Sequence, residues 1–279
     1  MIRARALQVT FAALVTALLP ATAALAAPTP APTDYVALGD SYSSGVGTGD
    51  YRSDSGDCLR SDAGYPALWA KSHTVGSFSF KACSGATTQD VRTSQLNTLS
   101  DRTSLVTITA GGNDAGFSDI LRSCVFPASD AACDAAVNKG IAYANRTLPG
   151  RLDGLYQEIK AKAPKAKVVV LGYPRLFERD ACPFSFSLHK RDSLNHGADE
   201  LNRVTGTRAQ SAGFTFANPT PRFAGHGICG GDPWINQLNI ADPVESYHPT
   251  ADGYARGYLP TLNSATGQAA LESVTSNGS

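Results

Sequence analysis

Apolar residues in this chain fall into short runs separated by longer amphipathic stretches. Five of the runs read as strands: Tyr35–Leu38, Phe78–Ala82, Leu105–Thr109, Lys167–Gly172 and Phe214–Ala217. Val168, Val169, Val170 and Leu171 form an unbroken apolar block, as a parallel strand covered on both faces requires. Helical patterns lie between the runs, at Tyr65–Lys71, Thr88–Leu99, Asp130–Lys162 and Ser187–Ala212. Pro149-Gly150 interrupts the third of these and predicts two helices there. A last helix is predicted over Thr250–Leu262, with Thr250 as N-cap and Asp252 in its first turn. Strand–helix alternation around one continuous core predicts a three-layer α/β/α sandwich with a mostly parallel central sheet of about five strands.

The ends of the chain follow other rules. Arg3 and Arg5 precede an apolar stretch from Ala6 to Leu19, and Ala24-Leu25-Ala26 then gives a small-x-small pattern. That order predicts a signal peptide over 1–26 and a secreted, extracellular protein. A membrane anchor is the competing reading, but the stretch is short and Gln8, Thr10 and Thr16 interrupt it. Residues 27–33 form a Pro-rich lead-in, 34–265 the expected single folded domain, and 266–279 a small, polar tail.

Charge narrows the range of partners. Lysine and arginine number 24, aspartate and glutamate 24, and removal of the signal takes away two arginines and no acid. Nucleic acid and anionic membrane surfaces are therefore not expected partners. No stretch after the signal is apolar enough to insert stably in a bilayer, and nothing in the sequence argues against a monomer. The 6 cysteines are Cys58, Cys83, Cys124, Cys133, Cys182 and Cys229. An even count in an exported chain predicts disulfides, although the count allows many connectivities. Pairing neighbours (Cys58–Cys83, Cys124–Cys133, Cys182–Cys229) would staple three excursions between core elements. A zinc site is disfavoured, because the chain has neither C-x-x-C nor H-E-x-x-H.

Candidate chemistry sits at the ends of the strand runs. Gly39-Asp40-Ser41-Tyr42-Ser43 follows the first run, Gly111-Gly112-Asn113-Asp114 follows the third, and Glu245-Ser246-Tyr247-His248-Pro249 lies on a late loop. A serine hydroxyl needs a base within hydrogen-bond reach and donors where an oxyanion forms. Ser41 on a glycine-rich turn and His248 on a late loop can supply nucleophile and base. Asp40 and Asp114 are expected to hold their turns rather than to act as the acid. His226 has no base-holding context. His73, His189 and His196 fall in helical segments and are expected at surfaces or helix ends, and Trp69 and Trp234 in the core or at its rim.

Taken together, these motifs resemble the SGNH (GDSL) hydrolase superfamily. Gly39-Asp40-Ser41, Cys83-Ser84-Gly85-Ala86, Gly112-Asn113-Asp114 and Glu245–His248 match its four blocks in order. The six cysteines, the Tyr35–Gly45 opening and the Ser-Tyr-His-Pro ending resemble the secreted actinomycete lipases and phospholipase A1 of that superfamily. The resemblance implies a serine carboxylic-ester hydrolase acting on lipid esters, with phospholipase A1 or carbohydrate acetylesterase as alternatives. It implies Ser41 as nucleophile, His248 as base, and an oxyanion hole built from the N–H groups of Ser41 and Gly85 and the side-chain amide of Asn113, with no metal or cofactor. A catalytically silent binding module would usually lack the serine or the histidine, and both are present.

One position departs from the family pattern. The family places an aspartate three residues before the histidine, where this chain has Glu245. Either the longer Glu245 carboxylate reaches the His248 Nδ1–H, or a backbone carbonyl such as that of Ser246 orients the ring and leaves a dyad. The Ser-Tyr-His-Pro context resembles the dyad-type lipases and leans toward the carbonyl.

Overall fold

The computed structural model describes residues 32–125, 129–183 and 185–267. The expected signal at 1–26, most of the lead-in and nearly all of the polar tail lie outside the described residues. Each predicted strand run carries a strand: β1 (Thr33–Gly39), β2 (Val75–Phe80), β3 (Leu105–Thr109), β4 (Lys167–Leu171) and β5 (Thr215–Ala217). They form one sheet in the order β2-β1-β3-β4-β5, and every pairing is parallel. All of β3 is buried, and so is β4 after Lys167, which is why β4 is apolar from Val168 to Leu171 and why the two polar residues of β3, Thr107 and Thr109, are hydrogen-bonded to Tyr35 and Ser43.

The helices are α1 (Ser41–Ser44), α2 (Tyr65–Ser72), α3 (Thr88–Asp90), α4 (Phe117–Cys124), α5 (Asp130–Arg146), α6 (Leu148–Lys162), α7 (Leu188–Ser211), α8 (Thr220–Phe223) and α9 (Leu259–Thr266). α5, α6 and α7 pack on one another, while α2 packs on α9, which lies against β4 and β5. The sheet is thus the middle of three layers. The break between α5 and α6 falls at Thr147, and Pro149 enters the first turn of α6, where a helix has no use for its missing N–H.

Two predicted helices are not simple α-helices. The stretch predicted over Thr88–Leu99 contains only the short α3. A wide π turn (Val91–Gln95) and a 3₁₀ turn (Leu96–Thr98) complete it. The wide turn delivers the buried Gln95 amide to Gly39: the Gly39 N–H donates to Oε1 at 2.8 Å, and Nε2 donates to the Gly39 carbonyl at 2.9 Å. Periodicity does not reveal such a deviation, since it arises from a long-range bond. The last helix likewise begins with a π stretch (Gly253–Tyr258) before α9. There a Cβ on Gly257 would stand 2.3 Å from the Phe223 ring. The second strand runs Val75–Phe80 rather than 78–82, because the chain bends so that the N–H groups of Lys81 and Ala82 both reach the Ala37 carbonyl.

Disulfides join Cys58 to Cys83, Cys124 to Cys133 and Cys182 to Cys229. The first fixes the Cys83–Ala86 turn beside β1, and the second ties the end of α4 to the first turn of α5. His73, expected at a surface or helix end, is the C-cap of α2 and is buried, stacked on Trp69. Trp69 and Trp234 are both buried.

Candidate active site

The chain leaves β1 on one side to build β2 and returns on the other side as β3, so the strand order reverses between β1 and β3. Open parallel sheets bind ligands at the carboxyl ends of the strands flanking such a point. Ser41 follows β1, and Asn113 follows β3.

Ser41 owes its position to its neighbours. Gly39 has φ +120°, and a Cβ there would lie 2.3 Å from the Thr109 carbonyl oxygen, so only glycine permits the turn. Asp40 caps α1 by accepting the Tyr42 N–H at 3.0 Å. Its other oxygen accepts the Tyr173 hydroxyl at 2.5 Å. The same hydroxyl accepts the Gly112 N–H at 3.1 Å, so one buried tyrosine joins the serine turn to the asparagine loop. Burial raises the Asp40 carboxyl from 3.8 to about 7, against hydrogen bonds from Tyr173, Tyr42 and Ser43 that favour its charge. Ser43 Oγ accepts the Thr109 N–H at 3.0 Å and bonds the hydroxyls of Tyr65 and Thr109. As the first residue of α1, Ser41 carries one of the amides that a helix start leaves without an intrahelical acceptor.

The other blocks converge on this turn. The Cys83 N–H donates to the Gly39 carbonyl at 3.0 Å. Two residues on, Gly85 has φ +76° and open space where a Cβ would stand. Among the described residues its N–H has no acceptor. Asn113 Nδ2 donates one hydrogen to the Ala86 carbonyl at 3.0 Å, which fixes the amide and leaves its second hydrogen free. Asp114 accepts the N–H and hydroxyl of Thr88 at 2.8 and 2.6 Å. It therefore orients the asparagine loop against α3.

His248 arrives from the far end of the chain. Ile235 bridges to Pro249, the Asn236 N–H donates to the His248 carbonyl at 2.9 Å, and the Tyr247 N–H donates to the Asn236 carbonyl at 2.8 Å. Asn236 Nδ2 also reaches the Gly47 carbonyl at 2.7 Å, and the Tyr42 hydroxyl donates to the Tyr247 carbonyl at 2.7 Å. Tyr247 sits at φ +63°, a conformation unusual for a side chain of its size and held here by these bonds. His248 Nε2 lies 2.8 Å from Ser41 Oγ, and Nδ1 lies 3.0 Å from the Ser246 carbonyl. With Nδ1 protonated and donating to that carbonyl, Nε2 is free to accept. The Tyr42 and Phe117 rings pack beside the imidazole, with centroids 5.1 and 6.2 Å away. Burial lowers the His248 pKa from 6.5 to about 4, opposed by the carbonyls of Ser246 and Val244.

Glu245 is not brought to His248. Its carboxylate accepts the Tyr51 hydroxyl, whose own oxygen accepts the Gly47 N–H at 3.2 Å. The 3₁₀ turn Pro243–Glu245 points the side chain to the 47–51 loop, while the Ser246 carbonyl is the group that meets His248 Nδ1. His226 bonds the Asp232 carbonyl and stacks on Trp234, and it does not line the cleft that holds Ser41. Tyr173, Gln95, Tyr51 and Asn236 carry no motif in the sequence. Each holds the site through at least one partner far away in the chain, and no local signal marks them.

Ser41, Gly85, Asn113 and His248 open onto one cleft of about 370 Å³, walled by Phe117, Leu121, Val125, Leu238 and Val244. The floor is polar and the walls are mostly apolar, with Ser118 and Arg122 at the rim. Such a cleft can bind an acyl group and present a hydroxyl, a neutral imidazole and several N–H donors to its carbonyl.

Comparison with known proteins gives the chain's family and fold. The profile of the GDSL-like lipase/acylhydrolase family matches residues 37–256. A lipase of Streptomyces rimosus is 52% identical over 252 residues, covering 90% of this chain and 93% of that one. Among solved structures, phospholipase A1 from Streptomyces albidoflavus superposes with a TM-score of 0.82 at 50% identity, covering 84% of this chain and 100% of that one. An extracellular lipase from Streptomyces rimosus superposes with a TM-score of 0.81 at 52% identity, covering 84% and 99%. The chain belongs to the GDSL-like lipase/acylhydrolase family.

Proposed function

We propose that this ester hydrolase of the GDSL lipase kind cleaves carboxylic acyl esters of lipids through an acyl-enzyme on Ser41, with His248 as its base. The single observation that carries the reading is the 2.8 Å contact between Ser41 Oγ and His248 Nε2 at the floor of an apolar-walled cleft. Ser41 Oγ attacks the ester carbonyl carbon as its proton passes to Nε2. The carbonyl oxygen becomes an oxyanion facing the N–H groups of Ser41 and Gly85 and the second Nδ2 hydrogen of Asn113. The C–O bond to the alcohol then breaks, and the imidazolium returns the proton to the leaving oxygen. Water repeats the sequence on the acyl-enzyme: His248 takes its proton, and Ser41 leaves.

In this reading no carboxylate touches the imidazole, and the Ser246 carbonyl fixes its tautomer. A carbonyl dipole stabilises the imidazolium less than a full charge does, so Ser41 and His248 act as a dyad. Export is part of the proposal: the three disulfides suit an oxidising compartment, and one relative is an extracellular lipase. Among the described residues no helix is long and apolar enough to cross a membrane.

The test uses p-nitrophenyl esters of graded chain length, followed by triacylglycerol and diacyl phosphatidylcholine. Turnover that rises with chain length supports the lipid-ester reading, and turnover confined to acetyl esters refutes it. Release of the sn-1 fatty acid from phosphatidylcholine would identify phospholipase A1 activity, the second reading favoured by the Streptomyces albidoflavus structure. Ser41→Ala should lose activity by ~10⁴-fold or more with the fold retained. A fluorophosphonate should label Ser41, and a label on another serine would overturn the assignment.

A further inference from the structure

Beside the cleft the chain exposes an apolar loop that the chemistry above does not use. Among the described residues the large apolar side chains left exposed are Leu188, Leu238, Ile240 and Val244. Three of the four fall within one short loop, and Ile240 is 85% exposed at its apex. Every residue from 237 to 244 is exposed. Clustered exposure of this kind marks a surface that meets something apolar.

The loop is a built structure. Asn239 Oδ1 accepts the N–H groups of Ala241 and Asp242, each at 3.1 Å, and the Asn239 N–H donates to Ser246 Oγ at 2.9 Å. Ser246 is also the residue whose carbonyl orients His248. The apolar apex is thus fixed with respect to the imidazole. Leu238, Pro243 and Val244 line the cleft that holds Ser41. On its other side, Leu238 joins Ile240 in lining a second groove of about 280 Å³ with Phe177, Phe186 and Ile228. Leu238 is therefore a ridge between two apolar troughs, and one of them leads to the serine.

We propose that this loop docks the enzyme on the surface of an aggregated, zwitterionic lipid, with Ile240 inserted and the cleft mouth facing the acyl chains. The proposal rests on the reading of the cleft as an acyl-ester site. A lipid surface is the partner that covers the loop and fills the adjoining cleft in one event. A few apolar side chains entering the headgroup–acyl boundary suffice for that contact. A stable protein interface needs roughly 800 Å² from each partner, far more than three side chains provide. From Asn236 to Ser246 the acids are Asp242 and Glu245, with no lysine or arginine. Glu245 is buried on Tyr51, and Arg122 across the cleft is paired with Asp119. The loop lacks the basic charge that an anionic surface selects.

The test separates docking from catalysis. Parent protein and Ile240→Asp are sedimented with vesicles of ether-linked phosphatidylcholine, which carries no ester to cleave. Both are also assayed on p-nitrophenyl butyrate in solution. Ile240 does not line the catalytic cleft, so Ile240→Asp should keep soluble turnover within about twofold while partitioning at least ~10-fold less onto vesicles. Ile240→Trp should retain partitioning, and its emission should shift to the blue on vesicles, because both native tryptophans are buried. Equal partitioning of parent and Ile240→Asp, or an unmoved Ile240→Trp spectrum, would overturn the proposal. So would a parent dimer in sedimentation velocity that Ile240→Asp dissolves, since a second copy would then cover the loop. A parent that binds vesicles through Ile240 but hydrolyses no soluble ester would leave docking intact and remove the hydrolase reading instead.

Discussion

Tyr51 donates its hydroxyl to the carboxylate of Glu245, a residue 194 positions later in the chain. This bond holds the Glu245 carboxylate away from His248 and ties the 47–51 loop to the histidine loop. The dyad reading predicts that Glu245→Gln lowers kcat by about tenfold or less, since the charge does not face the imidazole. Tyr51→Phe should have a similar effect, and the double variant should be little worse than either single one, because both remove the same bond. A carboxylate that oriented the ring would cost ~10⁴-fold on conversion to the amide. Steady-state kinetics on a soluble ester, with thermal unfolding as a control for folding, decides between these outcomes.

The acid limb of activity should be displaced. His248 accepts a proton only when neutral, and it is neutral above its pKa. Burial lowers that pKa from 6.5 to about 4. kcat/KM on a soluble ester should therefore hold below pH 6.5 and fall with a midpoint nearer 4. A midpoint at or above 6.5 would mean that a negative charge faces the ring.

Asp40 makes stability depend on pH in the opposite direction from carboxylates held ionised by salt bridges. Its folded pKa is raised from 3.8 to about 7. Below 3.8 both folded and unfolded states are protonated, and the group adds no pH-linked term. As pH rises toward 7, the unfolded chain releases the proton first, so this group lowers stability progressively and reaches its full cost above 7. Asp40→Asn should gain in Tm relative to the parent across that window. A difference in Tm that stays constant with pH would refute the shift.

Removing Cys58–Cys83 should affect activity as well as stability. The bridge closes a separation of 25 residues, and its loss should cost about 2–5 kcal/mol. Cys83 also anchors the turn that carries Gly85, so the double alanine variant should lose kcat below its unfolding temperature. The Cys182–Cys229 double variant should lose Tm with kcat preserved, since neither cysteine adjoins a residue lining the cleft, whereas Cys83 is followed by Ser84 and Gly85 in its lining. Equal kcat losses in the two variants would show that the first bridge has no special bearing on the site.

Gly39→Ala should be among the most destabilising single substitutions in the chain. It forces a Cβ to 2.3 Å from the Thr109 carbonyl oxygen at φ +120°. A cost of about 4 kcal/mol or more, read by denaturant unfolding, is expected. A loss under about 1 kcal/mol would mean that the turn relaxes freely.

Much of this protein is legible in its sequence, for a physical reason. A parallel strand buried on both faces is mostly apolar, so Val168–Leu171 and the β-branched run Leu105–Thr109 declare themselves, and the glycines around Ser41 declare a turn that no other residue permits. The positions of Ser41 and Asn113 at the ends of two strands follow from that pattern alone, and the late loop with His248 is visible as a motif. Which way a side chain turns is not. Whether Glu245 or the Ser246 carbonyl meets the imidazole depends on a 3₁₀ turn and on Tyr51, which local propensity does not connect. The π turn that brings Gln95 to Gly39 and the Tyr173 hydroxyl shared by Asp40 and Gly112 are likewise products of contacts between distant segments. Composition and periodicity report how each segment meets water and its neighbouring layer. Partners that lie far apart in the chain meet only after the layers have packed, and there tertiary structure alone decided the orientation of His248 and the exposure of Ile240.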